Sequence, residues 1–381
     1  MRASAALNSA TTEYERTAGN VPWWQSKQPF AAHELAQRRL QAQETACFRI
    51  GDRVLEVSAG EPSILDSVRA HYGDCEQVSL DRANLPFIRC VVNAGSPSSL
   101  IAIHFLHKQP LDLAKIALGL SHPPNNSPPY AISDAQWAGW SLIGGADRTV
   151  VATCRTGLLV DPTGVAEDFV ADYLIAATLR AQPDLMVLHA AALQTGSGGA
   201  ILTGASHAGK TTTAMHLASR GHRLLGDEMA VIRLGSRELL PLRRSLSLRA
   251  GPRSRALVSA LQRARPGEEH FLRGDIGSLR ISELFFESGD EPVELKAAFF
   301  LNGFSEHPAI EPFYITMNDE NAFDHMSAND VASISWGFEP RRRALRLLAL
   351  KQLMGHLQCW NLIVGSPDET ARLIESTMEE G

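Results

Sequence analysis

Apolar residues along this chain fall into short runs, each closed by a turn signal. Phe48-Arg49-Ile50, Val54-Leu55-Glu56-Val57, Phe87 to Val92 and Leu100 to Phe105 have the length and β-branched content of strands, as do Trp140 to Ile143 and Thr149 to Ala152. Helical spacing shows in Val165 to Ala181, where Phe169, Tyr173, Ala176 and Leu179 share a face, and Pro183 closes it. Ala32 to Cys47, rich in Gln and Ala, also predicts a helix. The Pro-rich stretch Ser121 to Pro129 predicts a loop or linker. These runs predict an α+β domain over residues 31–183, preceded by a loose arm over 1–30 in which Trp23 and Trp24 are the anchors.

From Leu185 onward the runs become longer and more apolar. Met186 to Leu193 predicts a strand that carries His189, and Ala200 to Thr203 a second, buried one. Thr211 to Arg220 has helical spacing, with Gly221 at the C-cap position. His222 to Leu234 predicts a long strand, and Gly235 to Glu238 the turn before Leu239 to Leu242. A helix over Arg255 to Arg263, a strand over Val293 to Leu301, a helix over Arg342 to Leu357, a strand over Trp360 to Val364 and a helix over Asp368 to Met378 complete an α/β pattern. The boundary between the two halves is set near residue 183, so residues 184–381 form the second domain.

Composition narrows the function classes. With 36 Lys and Arg against 42 Asp and Glu, the formal net charge is −6, so there is no cationic excess to neutralise nucleic-acid phosphates. No apolar run reaches the length of a transmembrane helix, and Met1 to Asn20 lacks the apolar core of a secretory signal. The expectation is a cytoplasmic protein that binds neither nucleic acid nor membrane. Five scattered cysteines (Cys47, Cys75, Cys90, Cys154, Cys359) contain no C-x-x-C pair, which argues against zinc and against a disulfide framework.

The chemistry concentrates between the second apolar strand and the helix after it. Gly204-Ala205-Ser206-His207-Ala208-Gly209-Lys210-Thr211, followed by Thr212, reads G-x-x-x-x-G-K-T. Glycines let successive backbone N–H groups turn inward toward phosphate oxygens, and the helix that follows aims its positive end at the same anion. Lys210 supplies a mobile charge for the β- and γ-phosphates, and the Thr211 hydroxyl is a Mg²⁺ ligand. The strand–loop–helix order is the one this mechanism needs.

An acid must face such a loop, to hold the metal or to take a proton. Leu224-Leu225-Gly226-Asp227-Glu228 lies only seventeen residues past Lys210, so the chain returns at once after one short helix, as a strand expected beside the loop strand. Two adjacent acids within an apolar strand are costly without a cation, and Mg²⁺ and Lys210 are suitable partners. A surface turn at Gly226 with solvated acids is the alternative. His189, within an apolar strand, is a core residue or a participant. Arg341, Arg342 and Arg343 with Arg346, and Arg243, Arg244 and Arg249, are basic clusters that either receive an anion or are solvated faces.

Taken in order, His189-Ala190-Ala191, Gly204 to Thr212 and Gly226-Asp227-Glu228 resemble the HPr kinase/phosphorylase family, over its C-terminal catalytic domain and the related proteins around it. Arg243 to Leu248 and Cys359 to Gly365 resemble recurring pieces of those related proteins. The likeness runs over about residues 185–378. It implies an HPr kinase/phosphoenolpyruvate carboxykinase-like P-loop fold using ATP and Mg²⁺. By position it implies Asp227 as general base, Glu228 with Thr211 as metal ligands, Lys210 on the phosphates, and His189 orienting Asp227 or the γ-phosphate. Glu228 stands where the family has a second Asp, and the family's Gly-rich segment that recognises the HPr protein is absent. The implied acceptor is therefore a Ser/Thr-type hydroxyl of another peptide or protein, as in the related kinases of lasso-peptide maturation. A nucleotide-binding regulatory or assembly protein and a small-molecule hydroxyl kinase are the rival expectations. Members of the family form hexamers, which leaves self-assembly open.

Overall fold

The computed structural model describes residues 44–59, 62–77, 87–95, 100–105, 130–137, 140–144, 150–153, 157–160, 166–247, 278–284, 289–313 and 340–380. The expected arm over 1–30, the loop over 121–129, the helix over 255–263 and Arg249 lie outside the described residues. The chain divides into two units. One holds residues 1–68, 77–181 and 335–337; the other holds 69–76, 182–334 and 338–381.

The first unit is built on an eight-stranded sheet in the order β1-β2-β3-β4-β8-β7-β6-β5. Strands β1 (Glu44–Ile50) and β2 (Arg53–Ala59) form a hairpin closed by Gly51 and Asp52, with Phe48 opposite Leu55. Helix α1 (Pro62–Tyr72) leads to β3 (Phe87–Gly95), parallel to β2. Strands β4 (Leu100–Phe105), β5 (Tyr130–Trp137), β6 (Trp140–Gly144), β7 (Val150–Thr153) and β8 (Gly157–Val160) complete the sheet with antiparallel pairings. Helix α2 (Ala166–Arg180) packs on β1 and β2 through a buried face that includes Ala171, Leu174, Ile175 and Thr178. The helix expected over 32–47 is not observed at its C-terminal end. Glu44 to Cys47 are strand, because pairing with Glu56 to Ala59 buries Ala46 and Cys47 and outweighs the local helix propensity.

The second unit carries a mixed α/β arrangement with a sheet that forks. Its elements begin with β9 (Leu185–Leu188), β10 (Ala190–Thr195), β11 (Gly198–Gly204), α3 (Lys210–Ser219), β12 (Arg223–Gly226), β13 (Ala230–Arg233) and β14 (Glu238–Leu240). There follow β15 (Leu246–Ser247), paired with β16 (Ser278–Leu279), and α4 (Ile281–Leu284). The chain then runs through β17 (Val293–Phe304), β18 (Ala309–Pro312), α5 (Pro340–Met354), β19 (Gln358–Val364) and α6 (Pro367–Glu380). The fork is β17. Its first residues pair antiparallel with β14, and from Leu295 it runs parallel to β11 and then also to β19.

Two apolar layers follow from the alternation along β17. Phe299 and Leu301 face Met215 and Leu217 of α3 and Ile374 and Met378 of α6, with Leu202 and Leu362 beside them. Phe300 and Ala298 face the other way, toward Ile201, Ile232, Leu239, and Leu350 and Leu353 of α5. The central strands are therefore covered on both faces, which is why 297–301 is an unbroken buried run. Helix α6 buries Thr370, Ala371, Ile374, Thr377 and Met378, one stripe at helical spacing, and Ser366 caps it by accepting from the Glu369 amide.

Candidate active site

Strand β11 ends at Gly204, and the loop 205–209 carries the chain into α3. Gly204 has φ +157°, and a Cβ there would lie 2.8 Å from the Leu301 carbonyl oxygen, so the loop leaves the sheet where only glycine fits. Gly209 precedes the helix and provides no side-chain cap, so the first N–H groups of α3 are left for a ligand. Ala205, Ser206 and His207 are exposed, while Ala208 is buried and Thr212 half-buried. His207 adopts φ +70°.

Lys210 is folded back onto this loop. Its Nζ donates to the carbonyls of Gly204 (2.8 Å) and Ala205 (3.1 Å). Burial lowers its pKa below the usual lysine range, while Asp227 and Glu228 pull it back up.

The acids are not within a strand. The expected run over 222–234 breaks into β12 and β13, and Asp227 and Glu228 occupy the bend between them. A Cβ on Gly226 would lie 2.8 Å from the Leu242 carbonyl oxygen and 3.0 Å from that of Met229, so the bend closes only around glycine. Nor does β12 adjoin the loop strand: β10 lies between, antiparallel to both. The position of His189 also differs from expectation. It sits at the break between β9, which pairs with β13, and β10, which pairs with β11.

These breaks bring the chosen residues together. Thr211 Oγ1 donates to Asp227 Oδ2 at 2.8 Å. Asp227 is 4 % exposed, and its Oδ1 is buried without a hydrogen-bond partner. Its pKa rises to about 6, chiefly through burial and also through the neighbouring Glu228 charge, against the Thr211 hydrogen bond, the Glu228 backbone amide and Lys210. His189 Nδ1 donates to the Glu228 carbonyl at 3.1 Å, which ties the imidazole to the acid bend. Burial and Lys210 lower the His189 pKa, so the ring is neutral at pH 7.

Glu228 differs from its neighbour. Its backbone is left-handed at φ +64°, a strained conformation for a side chain with a Cβ. Its Oε2 pairs with Arg244 Nη1 at 2.8 Å, and the Arg244 guanidinium lies over the Tyr72 ring at 5.9 Å. The Thr211 hydroxyl thus faces Asp227 rather than Glu228. Sequence reasoning did not foresee the Arg244–Glu228 pair or Tyr72 beneath it; Tyr72 lies far upstream, and no local signal joins it to the loop.

Other basic candidates serve the framework. Arg243 is buried, pairs with Asp290 and donates to the Asp74 carbonyl at 3.2 Å. Arg346 is buried and donates to the Leu185 carbonyl at 2.9 Å. Neither is presented to solvent as an anion receptor. Arg341 to Arg343 begin α5, and their side chains lie outside the described residues. His222 pairs with Glu375 at 2.8 Å on the α6 side.

A Mg²⁺ ion suits this donor set. The Thr211 hydroxyl oxygen and the half-exposed Glu228 carboxylate are hard oxygen ligands, and the buried Asp227 carboxylate lies beside them. Among the described residues no group of three or more His, Cys, Asp or Glu could hold a metal by itself; Mg²⁺ ordinarily takes one or two carboxylates and completes its shell with water and phosphate. Among the described residues, no helix is long and apolar enough to cross a membrane. No protein-family model matches the chain, and no curated protein matches it either.

Proposed function

We propose that residues 184–381 are a P-loop kinase domain of the HPr kinase/phosphoenolpyruvate carboxykinase type. The protein transfers the γ-phosphoryl of ATP to a Ser/Thr-type hydroxyl of a peptide or protein, with a lasso-peptide precursor as the first acceptor class to test. The observation that carries this reading is Asp227. It is a buried carboxylate, fixed through one oxygen to the threonine of the phosphate loop and bare at the other, with a pKa near 6. A carboxylate poised there is suited to accept a proton near neutral pH.

In this reading the loop amides and the N-terminus of α3 hold the phosphates. Lys210 leaves the Gly204 and Ala205 carbonyls for the β- and γ-phosphate oxygens. Asp227 takes the proton of the acceptor hydroxyl as the acceptor oxygen bonds to the γ-phosphorus and the bond from that phosphorus to the ADP oxygen breaks. His189 holds the acid bend through the Glu228 carbonyl. Thr211 and Glu228, with Asp227 beside them, would hold Mg²⁺, which supplies charge neutralisation on the phosphates. Positioning and charge account for most of the rate.

The test is transfer of labelled γ-phosphate, with Mg²⁺, to peptides bearing a terminal or internal Ser, to proteins and to hydroxyl metabolites. Transfer to a peptide or protein that is lost in Asp227→Asn supports the proposal. Unimpaired transfer by that variant removes Asp227 as the base. Transfer to metabolites alone selects a small-molecule kinase, and ATP binding without any transfer selects a regulatory nucleotide binder.

A further inference from the structure

The acids of the bend already face cations of the chain itself. Lys210 lies close enough to feel the charges of both Asp227 and Glu228, and Arg244 Nη1 donates to Glu228 Oε2 at 2.8 Å. Two carboxylates thus face two side-chain cations, which leaves the bend little net negative charge to draw in a free divalent ion. A triphosphate on the loop amides shifts that balance, because it brings several negative charges of its own.

The Arg244–Glu228 pair is held at both ends. At the acid end, a Cβ on Gly226 would lie 2.8 Å from the Leu242 carbonyl oxygen, and the Glu228 carbonyl bonds His189 Nδ1 at 3.1 Å. The Glu228 backbone is anchored, and only its side chain has a choice of partner. At the other end, the Arg244 amide donates to the Leu242 carbonyl at 3.0 Å, and the guanidinium lies over the Tyr72 ring at 5.9 Å. Next to it, the Ser245 amide donates to the His71 carbonyl at 2.7 Å and the Ser245 hydroxyl to the Ala70 carbonyl at 2.6 Å. These bonds tie the segment that carries Arg244 to the segment that carries Tyr72. Arginine does not lose its proton in proteins, so pH does not remove this competitor. The Glu228 side chain is 42 % exposed and that of Arg244 24 %, so the pair can be exchanged for a stronger partner at modest cost.

We infer that Arg244 is a positioning residue that acts through Glu228. It keeps a free divalent cation off this carboxylate, so the metal enters with the nucleotide phosphates rather than ahead of them. This rests on the reading of Thr211, Asp227 and Glu228 as the metal side of the site. In this role Arg244 need touch neither nucleotide nor acceptor.

The experiment titrates the full chain, without nucleotide, with Mn²⁺, which takes the same oxygen ligands as Mg²⁺, and reads free Mn²⁺ by its electron paramagnetic resonance signal. The chains are wild type, Arg244→Gln, Arg244→Met, Arg244→Lys and the double variant Arg244→Gln with Glu228→Gln. Wild type should bind Mn²⁺ weakly, and each neutral Arg244 variant about tenfold more tightly. Arg244→Lys keeps the charge and should bind as wild type does, and adding Glu228→Gln should cancel the gain. A merely structural Arg244 would not give this pattern, since damage to the fold weakens binding rather than tightening it. The inference is overturned if neither neutral variant binds Mn²⁺ more tightly than wild type, or if the gain survives Glu228→Gln. Unchanged Mn²⁺ binding beside intact transfer from ATP overturns the inference and leaves the kinase reading standing. The expected Mn²⁺ pattern in a chain that transfers nothing from ATP does the reverse. No Mn²⁺ binding by any of the chains overturns the metal reading together with the inference.

Discussion

Asp227→Asn should make the nucleotide- and metal-free protein more stable while removing its proposed activity. The carboxyl has a pKa of about 6 in the folded chain against an ordinary value of 3.8. It therefore holds its proton more tightly folded than unfolded. Above pH 6 it is ionised in both states, and folding carries the full cost of burying that charge. The cost shrinks as pH falls from about 6 to 3.8 and is gone below that. At about 1.4 kcal/mol per pH unit, the interval is worth about 3 kcal/mol. Asparagine keeps a carbonyl oxygen to accept from Thr211 and carries no charge at any pH. Urea unfolding of wild type and variant at pH 7.5, 5 and 3.5, without nucleotide or Mg²⁺, reads this directly. The variant should exceed wild type by up to about 3 kcal/mol at pH 7.5, by less at pH 5, and by close to nothing at pH 3.5. A variant less stable than wild type at pH 7.5, or a difference that does not move with pH, would refute the argument that Asp227 is a buried charge without sufficient compensation.

The same pKa predicts that phosphoryl transfer rises with pH through about 6, with activity at pH 5 roughly a tenth of its plateau, read as a kcat/KM profile. Gly204→Ala forces a Cβ against the Leu301 carbonyl and should abolish ATP binding by calorimetry and lower the melting temperature. Glu228→Gly relieves a left-handed backbone at the cost of a partly exposed ion pair, so the metal-free protein should gain up to about 1 kcal/mol in urea unfolding, while Mg²⁺-dependent transfer falls.

The strand–loop–helix around Gly204 was legible because three local signals coincide there: an apolar run, a glycine-rich spacing and a helical period ending at Gly221. That His189, Lys210, Thr211, Asp227 and Glu228 meet was also legible, since the short return after α3 leaves the acid bend little freedom. The strand order was not. Whether β12 lies beside β11 or beside β10 depends on which antiparallel edge the chain meets, and the apolar runs are alike at both. The breaks at His189 and at Asp227 were hidden for a related reason: flanking residues are apolar on both sides, and periodicity gives no sign of a strand changing partners. Glu44 to Cys47 were misread because local composition favours helix and the hairpin partner lies downstream of the window. Arg243 and Arg346 resemble surface charge in sequence, yet each is buried on a backbone carbonyl from a distant segment.

Residues 69–76 belong to the same unit as Gly204 to Thr211, although most of the chain around them does not. Their carbonyls and carboxylates receive the Ser245 amide and hydroxyl, the Arg243 guanidinium and the Ser282 amide, and Tyr72 lies under Arg244. The unit that carries Gly204 to Thr211 is thus discontinuous in the gene. A fragment expressed from residue 184 onward would carry an empty slot lined with unsatisfied donors, and Arg244 would lose its aromatic seat beside Glu228. A synthetic peptide spanning residues 69–76, added in trans, is the piece that fits that slot.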